Sequence, residues 1–315
     1  LGDLKKMTSL NGVALVTGGV GFKGSHLCKT LAEAGLTVHS TSRRAHPGEA
    51  HVRHWQADLS DFAAVDGLLK SIKPDYIFHL ASHVMGSPDI KHVLPTFQGN
   101  LQTTVNLLTA VAQHGCRRFI TTGSFMEPVG DAGDSAPTSP YAAAKWSSNA
   151  YCRLFRTLYH VPIATARVYM VYGPGQQDTT KLVPYSIHCL LKGERPRITS
   201  GRRLVDWVYV EDVAAGFLRL ALAPDADGLT VDIGSGSLIT TVDLVSMICR
   251  LEGSGLQPVI GAIPDRPREP SSTARIADSL RLIQWAPQVS LEEGLRRTIE
   301  SYRHSEELSE YLGND

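Results

Sequence analysis

Short apolar runs alternate with longer helical patterns through the first half of the chain. Val13-Ala14-Leu15-Val16-Thr17 reads as a buried strand, and a helical stretch from about Gly24 to Ala34 follows, ended by Gly35. Thr37-Val38-His39-Ser40 is the next strand, Asp61 to Lys70 a helix with Pro74 shortly beyond it, and Tyr76-Ile77-Phe78-His79-Leu80 another strand. Gly99 to His114 reads as a helix stopped by Gly115, and Arg118-Phe119-Ile120-Thr121-Thr122 as a further strand. This alternation predicts an α/β fold built on a doubly wound parallel sheet. The second half is less regular, with the proline-interrupted loops Tyr172-Gly173-Pro174-Gly175 and Ile263-Pro264-Asp265-Arg266-Pro267. The expected division is a first domain over residues 1–171, revisited near 204–223, and a smaller α/β domain over 172–203 and 224–315. No internal repeat or low-complexity tract interrupts this plan.

Composition narrows the classes. The 315 residues include 43% hydrophobic and 20% charged residues, ordinary for a soluble protein. Lys plus Arg and Asp plus Glu both number 31, so there is no basic excess for general nucleic-acid binding. A small anion held in one local pocket is compatible with that balance. The five cysteines form no CxxC pair, so a reducing cytoplasm is the expected compartment and no metal site is expected. No apolar stretch approaches the roughly 20 residues a membrane span needs. The residues ahead of Met7 are read as a lead outside the fold, and no secretory signal is read there.

Directly after the first strand comes Thr17-Gly18-Gly19-Val20-Gly21-Phe22-Lys23-Gly24, with Gly18, Gly21 and Gly24 in G-x-x-G-x-x-G spacing. Glycine there permits a tight turn and close backbone approach to a pyrophosphate, and the helix that follows offers free N–H groups to negative charge. The first domain is therefore expected to be a Rossmann-type dinucleotide-binding domain. At the end of the second strand, where a carboxylate would accept from an adenosine 2′-hydroxyl, the chain has Thr41-Ser42-Arg43-Arg44. Two arginines without an acid favour a 2′-phosphate, leaning toward NADP over NAD. Arg43 stacking on the adenine is the other reading. Asp58-Leu59 places a carboxylate either near the adenine amine or at a helix N-cap.

Tyr141-Ala142-Ala143-Ala144-Lys145 lies in a helix opened by Ser139-Pro140, which puts Tyr141 and Lys145 on one face. An ammonium beside a phenol is expected to lower the phenol pKa from about 10, making Tyr141 a general base or acid. Ser124, past a strand end, can bind the same reacting oxygen. These features resemble the extended short-chain dehydrogenase/reductase family over nearly the whole chain. The shared stretches are the glycine loop, Phe78-His79-Leu80-Ala81, Ser124, Tyr141/Lys145, Val171-Tyr172-Gly173-Pro174 and Asp206-Trp207-Val208-Tyr209-Val210-Glu211-Asp212-Val213. The resemblance implies a tightly held NAD or NADP contacted by Gly18, Gly21, Phe22, Lys23, Ser42, Arg43, Asp58, Leu59, Leu80, Ala81, Ser82, Tyr141 and Lys145. It also implies a nucleotide-sugar substrate, UDP-, dTDP- or GDP-linked, and a homodimer packed through helices, one of them within Phe97 to Val111.

One loop points further. Ala81-Ser82-His83-Val84-Met85-Gly86-Ser87 is similar to the S-H-V-D-R-S loop of nucleotide-sugar 4,6-dehydratases, and Asp265-Arg266-Pro267 to the same group's D-R-P segment. Yet where that group has T-D-E, this chain has Ser124-Phe125-Met126, and the nearest carboxylate is Glu127. Glu127 is either a relocated catalytic acid or a loop carboxylate before Pro128. His83 is either a ligand contact or a satisfied loop histidine. Met126 is expected against the substrate. Arg202, Arg203, Arg266, Arg268 and Arg275 are candidates for its phosphates, Arg268 and Arg203 foremost, because Val205-Asp206 and Met170 replace the family's usual Arg-Asp and Asn.

The leading expectation is a redox-neutral nucleotide-sugar dehydratase using transient oxidation at C4. The altered loop is similar to that of tunicamycin-pathway 5,6-dehydratases of UDP-N-acetylglucosamine. A 4-epimerase and an NADPH-dependent 4-ketoreductase are the alternatives. A non-enzymatic dinucleotide sensor is disfavoured by retention of Tyr141 and Lys145.

Overall fold

A computed structural model describes residues 11–47, 51–128, 136–265 and 271–312. The first half follows the expected alternation: β1 (Val13–Thr17), α1 (Phe22–Glu33), β2 (Thr37–Ser42), β3 (Val52–Gln56), α2 (Phe62–Ile72) and β4 (Tyr76–His79). A 3₁₀ turn, the short α3 (Val93–Thr96) and a π-helical turn (Phe97–Gln102) lead into α4 (Thr103–His114). Then come β5 (Arg118–Ser124), α5 (Pro140–Tyr159) and β6 (Ile163–Val168). The remaining elements are β7 (Met170–Tyr172), α6 (Leu182–Leu191), β8 (Leu204–Tyr209), α7 (Val210–Leu222), β9 (Thr230–Ile233), β10 (Leu238–Thr240), α8 (Thr241–Glu252), α9 (Ile276–Ile283) and α10 (Leu291–Leu312).

The main sheet is parallel and seven-stranded, in the order β3-β2-β1-β4-β5-β6-β9. The order reverses at β1, which pairs in register with β2 (Leu15 opposite His39) and with β4 (Leu15 opposite Ile77). Ligands of such sheets bind at the carboxyl ends of the strands flanking that switch point. On one face Leu15, Val65, Leu69, Ile77, Leu107, Leu108 and Phe119 close a buried core. Burial on both faces explains why β1 reads as an unbroken apolar run.

The expected helix from Gly99 starts earlier and differently. Its first turn is π-helical, and the hydroxyls of Thr103 and Thr104 donate back to the Gly99 and Asn100 carbonyls (3.1 and 2.6 Å). Side-chain hydroxyls compete in this way with the regular ladder. Gly115 ends α4 at φ 76°, where a side chain would be strained.

The chain divides into two units, one of residues 1–168, 214–232 and 278–285, the other of 169–213, 233–277 and 286–315. The return to the first unit thus begins at 214, not 204. β8 belongs to the second unit because it pairs with β7 and β10 in a separate three-stranded sheet. Segment 278–285 also joins the first unit, where the Ser279 hydroxyl donates to the Asp232 carbonyl at 2.7 Å. Pro287 stands just beyond the segment's end, and no such residue marks its start. The second unit's core gathers Tyr172, Val183, Ile187, Trp207, Tyr209, Leu244 and Leu295. Among the described residues no helix is long and apolar enough to cross a membrane.

Candidate active site

The glycine loop is sterically obligatory. Gly18 has φ +70°, and a Cβ there would fall 2.9 Å from the Ala81 nitrogen; a Cβ at Gly24 would fall 2.1 Å from the Gly18 oxygen. Helix α1 therefore starts pressed against the loop, with Gly21 as N-cap, no side-chain cap and no acidic residue in the first turn. Its leading N–H groups and dipole remain available to an anion, and a cradle that any Cβ would fill suits a dinucleotide pyrophosphate. Lys23, half-buried in that first turn, has its ammonium pulled down to about 8 by burial.

At the outer end of β2 the Ser42 hydroxyl donates to the Arg44 carbonyl (2.7 Å), and His54 lies within hydrogen-bond distance of both Ser40 (2.9 Å) and Ser42 (3.2 Å). The Arg43 and Arg44 residues are exposed. Asp58 Oδ1 accepts from the Ser60 amide and hydroxyl (2.9 and 2.8 Å), which hold the carboxyl below its usual range, with Arg43 adding to the effect. The N-cap of α2 is Asp61, not Asp58. Leu59 and Leu80 are buried. Ser82 and His83 are fixed by one side chain: Asn100 Oδ1 accepts from the Ser82 hydroxyl (3.0 Å) and the His83 amide (2.6 Å), and its Nδ2 donates to the His83 carbonyl (3.2 Å). The His83 ring lies 6.0 Å from that of His92; burial first, then His92 and Arg43, disfavour its protonation.

The reacting groups stand on β5 and α5. Ser139 caps α5 by accepting from the Ala142 amide (3.2 Å), with Pro140 in the first helical position. Tyr141, Lys145 and Ser124 are all buried, and the Lys145 ammonium donates to the Thr122 carbonyl (3.0 Å) and hydroxyl (3.1 Å). The expected lowering of the phenol pKa by Lys145 is not what this arrangement gives. Burial pushes Tyr141 up to about 12; the Ser124 side chain lowers it and Glu127 raises it. Lys145 is itself pulled down to about 8, by burial first and then by the charge of Lys23, against a smaller opposing effect of Glu127. Desolvation is the largest effect on each group.

The turn after β5 is closed by its own side chains. The Met126 amide donates to Ser124 Oγ (3.2 Å), the Ser124 amide to Glu127 Oε1 (2.5 Å), and Asn149 Nδ2 to Glu127 Oε2 (3.4 Å). The Met126 Cε would lie 3.8 Å from a Cβ on Gly86, so the 81–87 loop passes beside this turn.

A buried network beneath these groups joins the glycine loop to the Phe78-His79-Leu80-Ala81 stretch, a link that the motifs alone did not reveal. The Thr17 hydroxyl accepts from the Leu80 and Ala81 amides (3.2 and 3.1 Å), leaving its proton for His79 Nδ1 (2.8 Å); His79 Nε2 then meets Thr104 Oγ1 (3.0 Å). Burial, with Lys145 nearby, keeps His79 neutral with its pKa down to about 3. The Thr122 hydroxyl donates to the His79 carbonyl (3.1 Å), which links the network to Lys145. A histidine in an otherwise apolar strand end was the available signal.

Of the remaining candidates, Arg203 stands half-buried just before β8 in the second unit, its carbonyl accepting from the Thr241 amide (2.9 Å). Arg268 and Arg266 lie outside the described residues. Asp206, the retained acid of the family's Arg-Asp pair in which Val205 stands for the arginine, is a structural hub: it accepts from the Ser235, Gly236 and Ala274 amides at 2.6, 3.0 and 2.9 Å.

Residues 14–234 match the model of the NAD dependent epimerase/dehydratase family. The chain belongs to that family. It is 30% identical to UDP-glucose 4-epimerase of Mycolicibacterium smegmatis, over 92% of this chain and 98% of that protein. It is 26% identical to a probable dTDP-glucose 4,6-dehydratase of Sinorhizobium fredii, over 91% and 92% respectively. Among solved structures, UDP-glucose 4-epimerase of Thermotoga maritima with UDP-glucose superposes with a TM-score of 0.85 at 27% identity, covering 93% of this chain and 99% of that one. The Thermus thermophilus UDP-glucose 4-epimerase, a complex with NAD, gives 0.81 at 26% identity, covering 92% and 99%. This epimerase/dehydratase family member is thus an enzyme of the extended short-chain dehydrogenase/reductase type with a nicotinamide cofactor.

Proposed function

We propose that this enzyme is a nucleotide-diphosphate-sugar 4-epimerase acting on a UDP-linked hexose. One observation carries the choice over dehydration. Phe125 and Met126 occupy the places of the dehydratase acid/base pair, and both Glu127 oxygens are engaged, by the Ser124 amide and by Asn149. Eliminating water requires a proton donor for the departing hydroxyl; Phe125 and Met126 offer none, and Glu127 is turned toward the Ser124 amide and Asn149. Epimerisation requires only groups that handle the C4 oxygen. Tyr141 takes and returns the proton of the C4 hydroxyl, Ser124 hydrogen-bonds the same oxygen, and the Lys145 ammonium favours negative charge there. The bound nicotinamide supplies reversible hydride acceptance at C4.

The glycine cradle suits the pyrophosphate of either nicotinamide dinucleotide; the absence of an acid at the end of β2 and the exposed Arg43 and Arg44 favour NADP. Identifying the nucleotide released on denaturation tests this, and NAD alone would refute it. A dehydratase reading, including 5,6-dehydration of UDP-N-acetylglucosamine, is favoured by the Ser82-His83-Val84 loop. Incubation with UDP-glucose and UDP-N-acetylglucosamine, followed by mass spectrometry and proton NMR of the sugar, separates the readings. Epimerisation gives an isomer of unchanged mass. Loss of one water would establish dehydration instead, and stoichiometric NADPH consumption with a 4-keto sugar would establish a reductase.

A further inference from the structure

We propose that Glu127 is a positioning residue: its carboxylate braces the Ser124 turn from within and offsets the charge of Lys145, rather than exchanging a proton with the sugar. This rests on reading Ser124, Tyr141 and Lys145 as the reacting set.

The carboxylate folds back across its own turn. The Glu127 amide donates to the Ser124 carbonyl (3.1 Å), while the Ser124 amide donates to Glu127 Oε1 (2.5 Å), so main chain and side chain close the same turn twice. A Cβ on Gly123 would fall 3.1 Å from Glu127 Oε1 and 3.0 Å from Thr165 Cγ2, which sets the carboxylate against β5 on the side of β6. The second oxygen meets Asn149 of α5 at 3.4 Å. Cys152 on the same helix feels it too: burial drives that thiol up to about 12, and Glu127 adds to the rise. Both carboxylate oxygens are thus turned toward β5 and α5, where the Ser124 amide and Asn149 hold them, although each keeps a further acceptor site. Because Met126 donates to Ser124 Oγ within the same turn, whatever holds the turn also aims that hydroxyl.

The charges acting on the pair come from several elements. Lys145 is lowered by Lys23 of α1 and raised by Glu127 and Cys152; Tyr141 is raised by Glu127. His79 of β4, kept neutral, adds no charge. Glu127 thus opposes Lys23 at Lys145.

Glu127→Gln keeps an oxygen toward the Ser124 amide and removes the charge. Tyr141 and Lys145 both lose a neighbour that raises their pKa, so the whole kcat/KM profile should move to lower pH, with kcat at the new optimum within about tenfold of wild type. Glu127→Val removes the acceptor, and kcat should fall with KM for the nucleotide sugar little changed. Turnover abolished at every pH in Glu127→Gln, or an unshifted profile, would overturn the proposal. A readout without substrate is the Ser124 amide proton in NMR. It should resonate far downfield in wild type, stay downfield in Glu127→Gln and move upfield in Glu127→Val; an ordinary wild-type shift would refute the brace. Wild type that converts no nucleotide sugar would defeat the proposed function and leave this spectroscopic test standing.

Discussion

Lys145 offers a test of the site's electrostatics that needs no substrate. The residue is 6% exposed, and the pKa of its ammonium falls from 10.5 to about 8, chiefly through burial. Between those values the folded protein binds fewer protons than the unfolded chain, so raising the pH favours folding. Below about pH 8 the ammonium is charged in both states and its full desolvation cost is present; above about pH 10.5 it is neutral in both and the cost is gone. The gap of about 2.5 pH units, at about 1.36 kcal/mol each, corresponds to about 3 kcal/mol. Lys145→Met removes the titration and keeps much of the packing. Urea unfolding of wild type and variant, both freed of nucleotide, should be followed from about pH 7 to about pH 10.5. The stability of wild type minus that of the variant should rise across this window by about 3 kcal/mol. Tyr141 and Cys152, both raised to about 12, lose folded-state stability at the alkaline end, but they are present in both proteins and largely cancel in the difference. A difference that stays flat, or falls, would refute the buried-ammonium account.

Three further outcomes are expected. Tyr141→Phe should lower turnover by about 10²- to 10⁴-fold with an unchanged circular dichroism spectrum, and near-normal rates would remove the phenol from the chemistry. Asp206→Ala strands the Ser235, Gly236 and Ala274 amides, and should cost about 2–4 kcal/mol in denaturant unfolding; a loss under about 1 kcal/mol would deny Asp206 its role as hub. Trp146, Tyr151, Leu154 and Leu158 leave an exposed apolar stripe on α5, and Val93, Leu94 and Phe97 are exposed as well. We expect these helices to join a homodimer, so Leu154→Arg should halve the mass seen by sedimentation, and a monomeric wild type would refute it.

What was legible in the sequence is what depends on local backbone demands. Gly18 and Gly24 announce the loop because no side chain fits there, and β1 announces itself because burial on both faces permits only apolar residues. The Tyr141–Lys145 pairing follows from helical spacing alone. The rest depends on what surrounds a residue in space. The phenol was expected to be lowered by its lysine, yet burial of the phenol raises it. Asp58 and Asp61 are alike in sequence, and only the start of α2 decides which one caps it.

Glu127 shows the same limit most sharply. A carboxylate close to the reacting serine reads as a displaced acid when position is all that is known. Its direction is set by the turn: the Ser124 amide, three residues back, is the nearest strong donor, and Asn149 of α5 is available to the other oxygen. A residue that would be an acid facing outward becomes a brace facing inward. With Glu127 turned to the Ser124 amide and Asn149, the oxygen-handling set of Ser124, Tyr141 and Lys145 suits transfer of hydrogen at one carbon, which epimerisation and ketone reduction share. The proposed epimerisation therefore rests, against dehydration, as much on what Phe125 and Met126 do not present to the sugar as on what Tyr141 does.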